Sequence, residues 1–289
     1  MPMRGTTSEK GFTLIELVVT LVLTAIVVGF MSVFISAPIR GFTDQARRSR
    51  LVDAADTALR RMERDVRRAL PNSVRTTTSG GVVALELLST VDGARYRAQP
   101  PGSALQILDF SAPDNSFDAL APFTQVTKPF SSTASYLAIY NAGVPGADAY
   151  ELANVITPPG TTITIDVDGA TGEDRVTLSP AFRFAFGSPT HRVYLVDGPV
   201  TYLCDPLAGT LTRYQGYTIA PSQSARDSQG ELLGAGATAS LMADDIASCS
   251  IAYTAGTSER AGLVSFEIAV QAQGETVSLL SQVHVDNVP

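Results

Sequence analysis

Gly11-Phe12-Thr13-Leu14-Ile15-Glu16 stands in front of an uncharged, largely apolar run from Leu17 to Ile39. Glu16 and Arg40 bracket 23 residues without a charge. At about 1.5 Å per residue a helix of that length measures about 35 Å, against a hydrocarbon core of about 30 Å. The run is long enough to span a bilayer. A secretory signal would carry a shorter apolar run, of roughly 7 to 15 residues, with a small-residue cleavage site on its far side. Here Pro38 follows Ala37 at that end, and the small residue, Gly11, stands before the run.

Glu16 is the odd residue, because a carboxylate at the edge of a lipid-embedded helix costs about 2.5 kcal/mol or more. It needs a partner. Were the chain cut after Gly11, the new amine of Phe12 would lie one helical turn before Glu16, on the same face and at a similar depth. The carboxylate could then pair with its own amine or with a neighbouring subunit's. The plainer alternative is an anchor with a stray acid near its cytoplasmic end.

These residues and the apolar tail behind them resemble the cleavage and methylation signature of type IV prepilins and of type II secretion pseudopilins. The resemblance implies cutting between Gly11 and Phe12 by a prepilin peptidase at the inner face of the membrane, then N-methylation of Phe12. It also implies that Glu16 neutralises a neighbour's amine as subunits pack. The implied fold is α+β and pilin-like, a long N-terminal helix packed on a mainly antiparallel β-sheet head. The expected division is a leader at 1–11, a transmembrane half-helix at 12–39, an amphipathic stem helix at 40–70 and a periplasmic head at 71–289.

Charge divides along the same line. Residues 1–70 carry 11 Lys/Arg against 7 Asp/Glu, and the remainder carries 10 against 21, so the stem is +4 and the head −11. An acidic head does not suit a nucleic-acid partner, which needs a basic footprint. Arg4 and Lys10 in the leader favour a cytoplasmic N-terminus, whereas Arg40, Arg47, Arg48 and Arg50 crowd the other end. Charge alone does not orient the span; the resemblance places the N-terminus in the cytoplasm and the head in the periplasm.

Pro38 and Gly41 predict a kink or short break, with Thr43 or Asp44 capping a renewed helix. Beyond it, Leu51, Ala55, Ala58, Leu59, Met62, Val66, Ala69 and Leu70 recur at three- and four-residue spacing and make one apolar stripe. Arg47, Arg48, Arg60, Arg61, Arg64, Arg67 and Arg68 lie opposite, mixed with acids, as a solvated face or one that meets acidic neighbouring heads.

After Pro71-Asn72 the sequence turns β-like. Branched and aromatic residues mark strands at 82–88, 104–110, 136–140, 161–167, 175–178, 191–196, 200–204, 211–214, 251–253, 263–271 and 276–285. Gln273-Gly274-Glu275 predicts a hairpin turn, and Asp197-Gly198 another. Long segments at 112–129, 143–149 and 219–238 are expected as loops, and one antiparallel sheet on the stem is the economical picture.

The two cysteines, Cys204 and Cys249, both fall in the expected extracytoplasmic part, where they should pair as a disulfide; two unrelated buried thiols are the alternative. No nucleophile elbow, Walker loop, HExxH or CxxC occurs, so neither an enzymatic centre nor a cofactor is expected. A weak calcium-loop candidate, Asp166, Asp168 and Asp174, has Ala170 where position 5 wants an oxygen ligand and Thr177 where position 12 wants a bidentate acid, and reads better as a hairpin turn with solvated acids.

Over the head, Tyr194-Leu195-Val196-Asp197-Gly198-Pro199-Val200-Thr201-Tyr202-Leu203-Cys204, Leu211-Thr212-Arg213-Tyr214 and the final Val283-His284-Val285-Asp286-Asn287-Val288-Pro289 resemble biogenesis proteins of the mannose-sensitive haemagglutinin (MSHA) pilus. More loosely, a stem with a Cys-bearing head is similar to J-type minor pseudopilins. The implied role is assembly of a pilus with other minor and major pilins on an inner-membrane platform. A tip adhesin and an anchored periplasmic enzyme are the alternatives from other classes.

Overall fold

The computed structural model describes residues 11–257 and 260–288, with backbone alone at residue 33 and at residues 35–40. The leader residues 1–10 therefore lie outside the described residues. The chain divides into two compact units, Met1–Arg50 and Leu51–Pro289. The helix α1 (Leu14–Arg67) contributes to both.

In the first unit, the window Leu14–Ser32 has a mean hydropathy of 2.6 and none of it is buried. An apolar helix left bare by its own chain calls for lipid or other helices around it. The expected break at Pro38 does not occur, and the helix continues through Pro38 and Gly41 without a new cap at Thr43 or Asp44. Proline removes a single ladder donor at its own position, and the turns on either side hold the path.

In the second unit, the stripe from Leu51 to Val66 is buried as its spacing predicts. The helix stops at Arg67, before the expected residue 70. There the chain is captured as an extended segment: Leu70 N–H donates to Leu88 O at 2.8 Å and Thr90 N–H to Arg68 O at 2.9 Å.

Among the described residues, ten strands form one antiparallel sheet: β1 (Arg75–Ser79), β2 (Val82–Tyr96), β3 (Asp114–Ala121), β4 (Phe130–Ser132), β5 (Tyr136–Ala138), β6 (Thr162–Val167), β7 (Asp174–Phe182), β8 (Arg192–Asp205), β9 (Thr210–Gln215) and β10 (Thr238–Ala243). A short helix, α2 (Gln229–Gly234), precedes β10 and is capped by the Ser228 hydroxyl, which accepts from Glu231 N–H. Then β11 (Ile246–Thr254), β12 (Gly262–Ala272) and β13 (Glu275–Val285) make a separate three-stranded meander. The head thus holds two sheets where one was expected. The meander closes on itself through the tight turn Gln273-Gly274, both at positive φ, and its apolar face needs a helix to cover it.

That helix is the stem. Leu59, Met62 and Val66 share one core with Leu85 and Leu87 of β2, Tyr202 of β8, and Phe266 and Ile268 of β12. The long strands β2 and β8 then run on into a second core, where Tyr96 and Leu195 meet Phe117, Ile163, Val176 and Phe184. Two long paired strands therefore carry the sheet from one core to the next.

Four local expectations are corrected. Residues 104–110 form turns, because Ser103 N–H is caught by the Gln106 side chain at 2.6 Å. Residues 114–121, expected as loop, are β3, which was hidden because its inward face includes the buried carboxylate of Asp118. Asp197-Gly198 is a bulge inside β8 and no hairpin: Ser89 of β2 opposes Gly198 and Thr90 opposes Val196, leaving Asp197 as the extra residue. His191, expected at the start of a strand, precedes β8 at positive φ with its ring 5.5 Å from that of Tyr96.

Candidate processing site and the polar core of the head

The first turn of α1 is built by Thr13 and Glu16. Thr13 N–H donates to Glu16 Oε2 at 3.3 Å, its hydroxyl donates to the same oxygen at 3.2 Å, and Glu16 N–H donates back to Thr13 Oγ1 at 3.3 Å. This reciprocal arrangement is a capping box, which satisfies two of the orphan donors of a helix start. The carboxylate also lies at the positive end of the helix dipole. Glu16 is therefore held by its own turn, a partner that consideration of lipid cost alone overlooked. The signal was present in the sequence as the spacing of Thr13 and Glu16.

The residues in front of that turn are presented outward. Phe12 is 76% exposed. A Cβ added at Gly11 would meet nothing within 4 Å, and Gly11 is not among the glycines held at positive φ. Neither packing nor backbone conformation asks for glycine there.

Residues 6–32 match the family model described as the prokaryotic N-terminal methylation motif. The chain carries a methylation motif of the type IV prepilin kind. Its first residues, 6–10, lie outside the described residues, and its remainder covers the capped turn and the bare apolar helix. The methylation motif spans 27 of 289 residues, so it speaks for the N-terminal segment and not for the head. No curated protein and no solved structure matches the chain. The motif brings with it a prepilin peptidase and pilin-type partners as a general class. The single apolar helix behind it fits a membrane anchor with a soluble head.

In the head, Cys204 on β8 and Cys249 on β11 form a disulfide that ties the large sheet to the meander. The bridge closes a separation of 45 residues, and the chain-entropy argument assigns such a loop about 4 kcal/mol. Replacing both cysteines by serine is expected to lower the unfolding free energy of the detergent-solubilised full chain by up to that amount. A change below about 1 kcal/mol in denaturant titration would show that the two sheets are held together without the bridge.

The acids of the calcium-loop candidate do not converge. Asp174 is buried, accepting from Phe123 N–H at 2.6 Å and from Lys128 Nζ at 2.6 Å. Asp168 accepts from Ala170 N–H at 3.0 Å and pairs with Arg175 at 2.6 Å. Asp166 accepts from Val167 N–H at 2.8 Å. The donors that a cation would displace are already in place. Among the described residues, no three His, Cys, Asp or Glu side chains group as metal ligands.

Besides Asp118, two further buried carboxylates escaped the sequence reading: Asp65 stands among the charges of the stem and reads with its solvated face, and Glu86 sits alone among apolar residues of β2. Asp65, 7% exposed on the buried side of α1, accepts from Tyr202 Oη at 2.8 Å and Arg213 Nε at 2.7 Å. Glu86 of β2 is fully buried, accepts from Tyr217 Oη at 3.1 Å and pairs with Arg75 at 2.7 Å. The Arg75 guanidinium in turn lies 3.5 Å from the ring centroid of Tyr150 and donates to Ala220 O and Pro221 O. In these two clusters each carboxylate is answered by a cation and a tyrosine hydroxyl, which describes a fastening.

Burial pushes the Glu86 carboxyl above the ordinary glutamate range, against the opposing pull of Arg75 and Tyr217. An acid whose pKa is raised by folding contributes most stability below its unfolded value, and loses that contribution as pH rises through the folded value. The stability of the native head relative to a Glu86→Gln variant is therefore expected to fall as pH rises from about 4 towards 7. Melting temperatures of the two proteins compared at each pH check this, and a constant difference would refute it.

Proposed function

We propose that the chain is a precursor which is cut between Gly11 and Phe12, N-methylated on Phe12 and assembled as a minor pilin-type subunit. The supporting observation is the methylation motif at residues 6–32 joined to a capped, bare apolar helix. In this reading the N-terminus is cytoplasmic, α1 anchors the chain in the inner membrane and the head is periplasmic. Once Phe12 carries a free amine, Glu16 has a cation within a turn of its carboxylate. The capping box gives it a position from which to meet that amine or a neighbour's.

The finer assignment is to an MSHA-type pilus, in an MshO-like role of priming assembly with other minor pilins. It draws on the short head strings around Cys204 and at the C-terminus. The proposed role has no catalytic step, uses no cofactor and, given a head at −11, no nucleic acid. The same motif also serves type II secretion pseudopilins, so loss of piliation against loss of secretion in a deletion strain separates the two systems.

N-terminal mass spectrometry of the protein from its native membrane tests the central claim. Methylated Phe12 as the first residue, in a fraction containing other pilin-type proteins, is the expected result. A chain that still begins at Met1 and has no such companions would overturn it.

A further inference from the structure

β13 is the last strand of the meander and pairs on one side only, with β12. Which of its backbone groups face outward follows from one bond: Gln271 N–H of β12 donates to Asp245 O, on the β11 side, at 2.8 Å. In an antiparallel sheet the N–H and C=O of one residue point the same way and alternate along the strand. Odd residues of β12 therefore face β11 and even ones face β13. With Ala272 opposite Glu275 and Ile268 opposite Leu279, the odd residues of β13 complete that ladder. Thr276, Ser278, Leu280, Gln282 and His284 are left with their N–H and C=O groups turned to the open side. Among the described residues, none of them makes a backbone bond to another part of the chain.

Free edges in soluble heads are usually blunted with lysine, proline or an inward charge. β13 reads Glu-Thr-Val-Ser-Leu-Leu-Ser-Gln-Val-His-Val, with a formal charge only at its first residue, and pairs with β12 without a register shift. Leu280, at its centre, is 69% exposed. Beside this edge a cleft of about 240 Å³ opens between strand and stem, lined by Asp56, Leu59, Arg60, Glu63, Leu279 and Ser281. Its walls are mostly polar and carry an Asp56–Arg60 ion pair beside Leu279.

We propose that the outer edge of β13 is an assembly surface that accepts an extended segment of a companion pilin-type subunit as an additional strand. This rests on the functional reading above and deepens it. A second copy's β13 is not the occupant. Ser281 bonds to Glu63 and Asn72 Nδ2 to Asn287 O, so β13 and the 51–67 segment of α1 advance in the same direction. Antiparallel pairing of two β13 edges would set those helices head to tail, whereas subunits that enter an assembly side by side share one direction. The expected segment differs in character between its two faces: alternate side chains turned to the stem meet Leu279 and the Asp56–Arg60 pair, and those between them, on the other face, cover the exposed Leu280.

Amide hydrogen exchange is the direct test, on the full chain alone in detergent and in the subunit assembly isolated from its native membrane. Alone, the amides of residues 276, 278, 280, 282 and 284 should exchange fast while the odd ones are protected. In the assembly the even ones should slow by about 100-fold. Leu280→Pro removes one outward donor at a position where an edge strand tolerates proline. It should keep the wild-type melting temperature but fail to enter the assembly, and Leu280→Lys should do the same. Even-numbered amides that stay fast in an assembly containing mature, methylated chain would overturn the edge proposal and leave the pilin reading standing. Protection already present in the isolated chain, with a dimer mass, would replace the companion by a second copy and overturn it too. A chain that is never processed removes both.

Discussion

Gly11→Ala is expected to leave the chain uncut, accumulating as a membrane-bound precursor that begins at Met1. Among the described residues nothing lies within 4 Å of a Cβ added at Gly11, so the added methyl is expected to leave their fold unchanged. The effect falls on the peptidase, whose bond-cleaving groups must reach the Gly11–Phe12 peptide. A displacement of about 1 Å at a reacting bond costs about 100-fold in rate, enough to turn mature protein from the main species into a trace. Intact-mass measurement of the membrane fraction reads this directly. Equal amounts of mature Phe12 protein in variant and wild type would remove the cleavage assignment. Glu16→Ala separates the next step. It should be cut, since the scissile bond is untouched, but should enter assemblies poorly because both the capping box and the amine's partner are gone. Normal incorporation of that variant would refute the pairing role.

Asp65→Ala, on the stem helix, should be strongly destabilising for the unit that begins at Leu51. It leaves the Arg213 guanidinium buried without its carboxylate and the Tyr202 hydroxyl without its acceptor. Breaking a buried ion pair from one side typically costs about 3 to 5 kcal/mol. In a unit of this size each kcal/mol lowers the melting temperature by about 2 to 4 °C. The loss should be largely recovered by Asp65→Leu combined with Arg213→Met, because removing both charges also removes the desolvation that the pair had to offset. Thermal unfolding of the full chain in detergent measures both. A single variant within about 1 kcal/mol of wild type would show that Asp65 does not fasten stem to sheet.

How much could be read in advance depended on whether a signal was local. The stem stripe from Leu51 to Val66 was legible because one face of a helix repeats every three to four residues whatever it packs against. The Gln273-Gly274 turn was legible because two consecutive residues at positive φ have few acceptable identities. Asp197-Gly198 carried the same kind of signal and was misread. The choice between hairpin and bulge was made by β2, more than a hundred residues earlier, which pairs with both flanks of β8. β3 was missed for a related reason. Its buried Asp118 looks like a loop residue until Arg175 on β7, 2.9 Å away, answers it.

By itself the sequence determined the anchor, its candidate cleavage point and the pairing of the only two cysteines, because each depends on residues close in the chain or on having no alternative partner. Tertiary structure alone decided that the head holds two sheets sharing one helix, that Asp65 and Glu86 are buried with their cations, and that β13 keeps an open edge. Those outcomes turn on which distant strand wins a given edge and which distant charge reaches a buried carboxylate. Neither leaves a periodic trace in the amino-acid order, since hydrogen-bond pairing and desolvation act across space between residues that the chain separates.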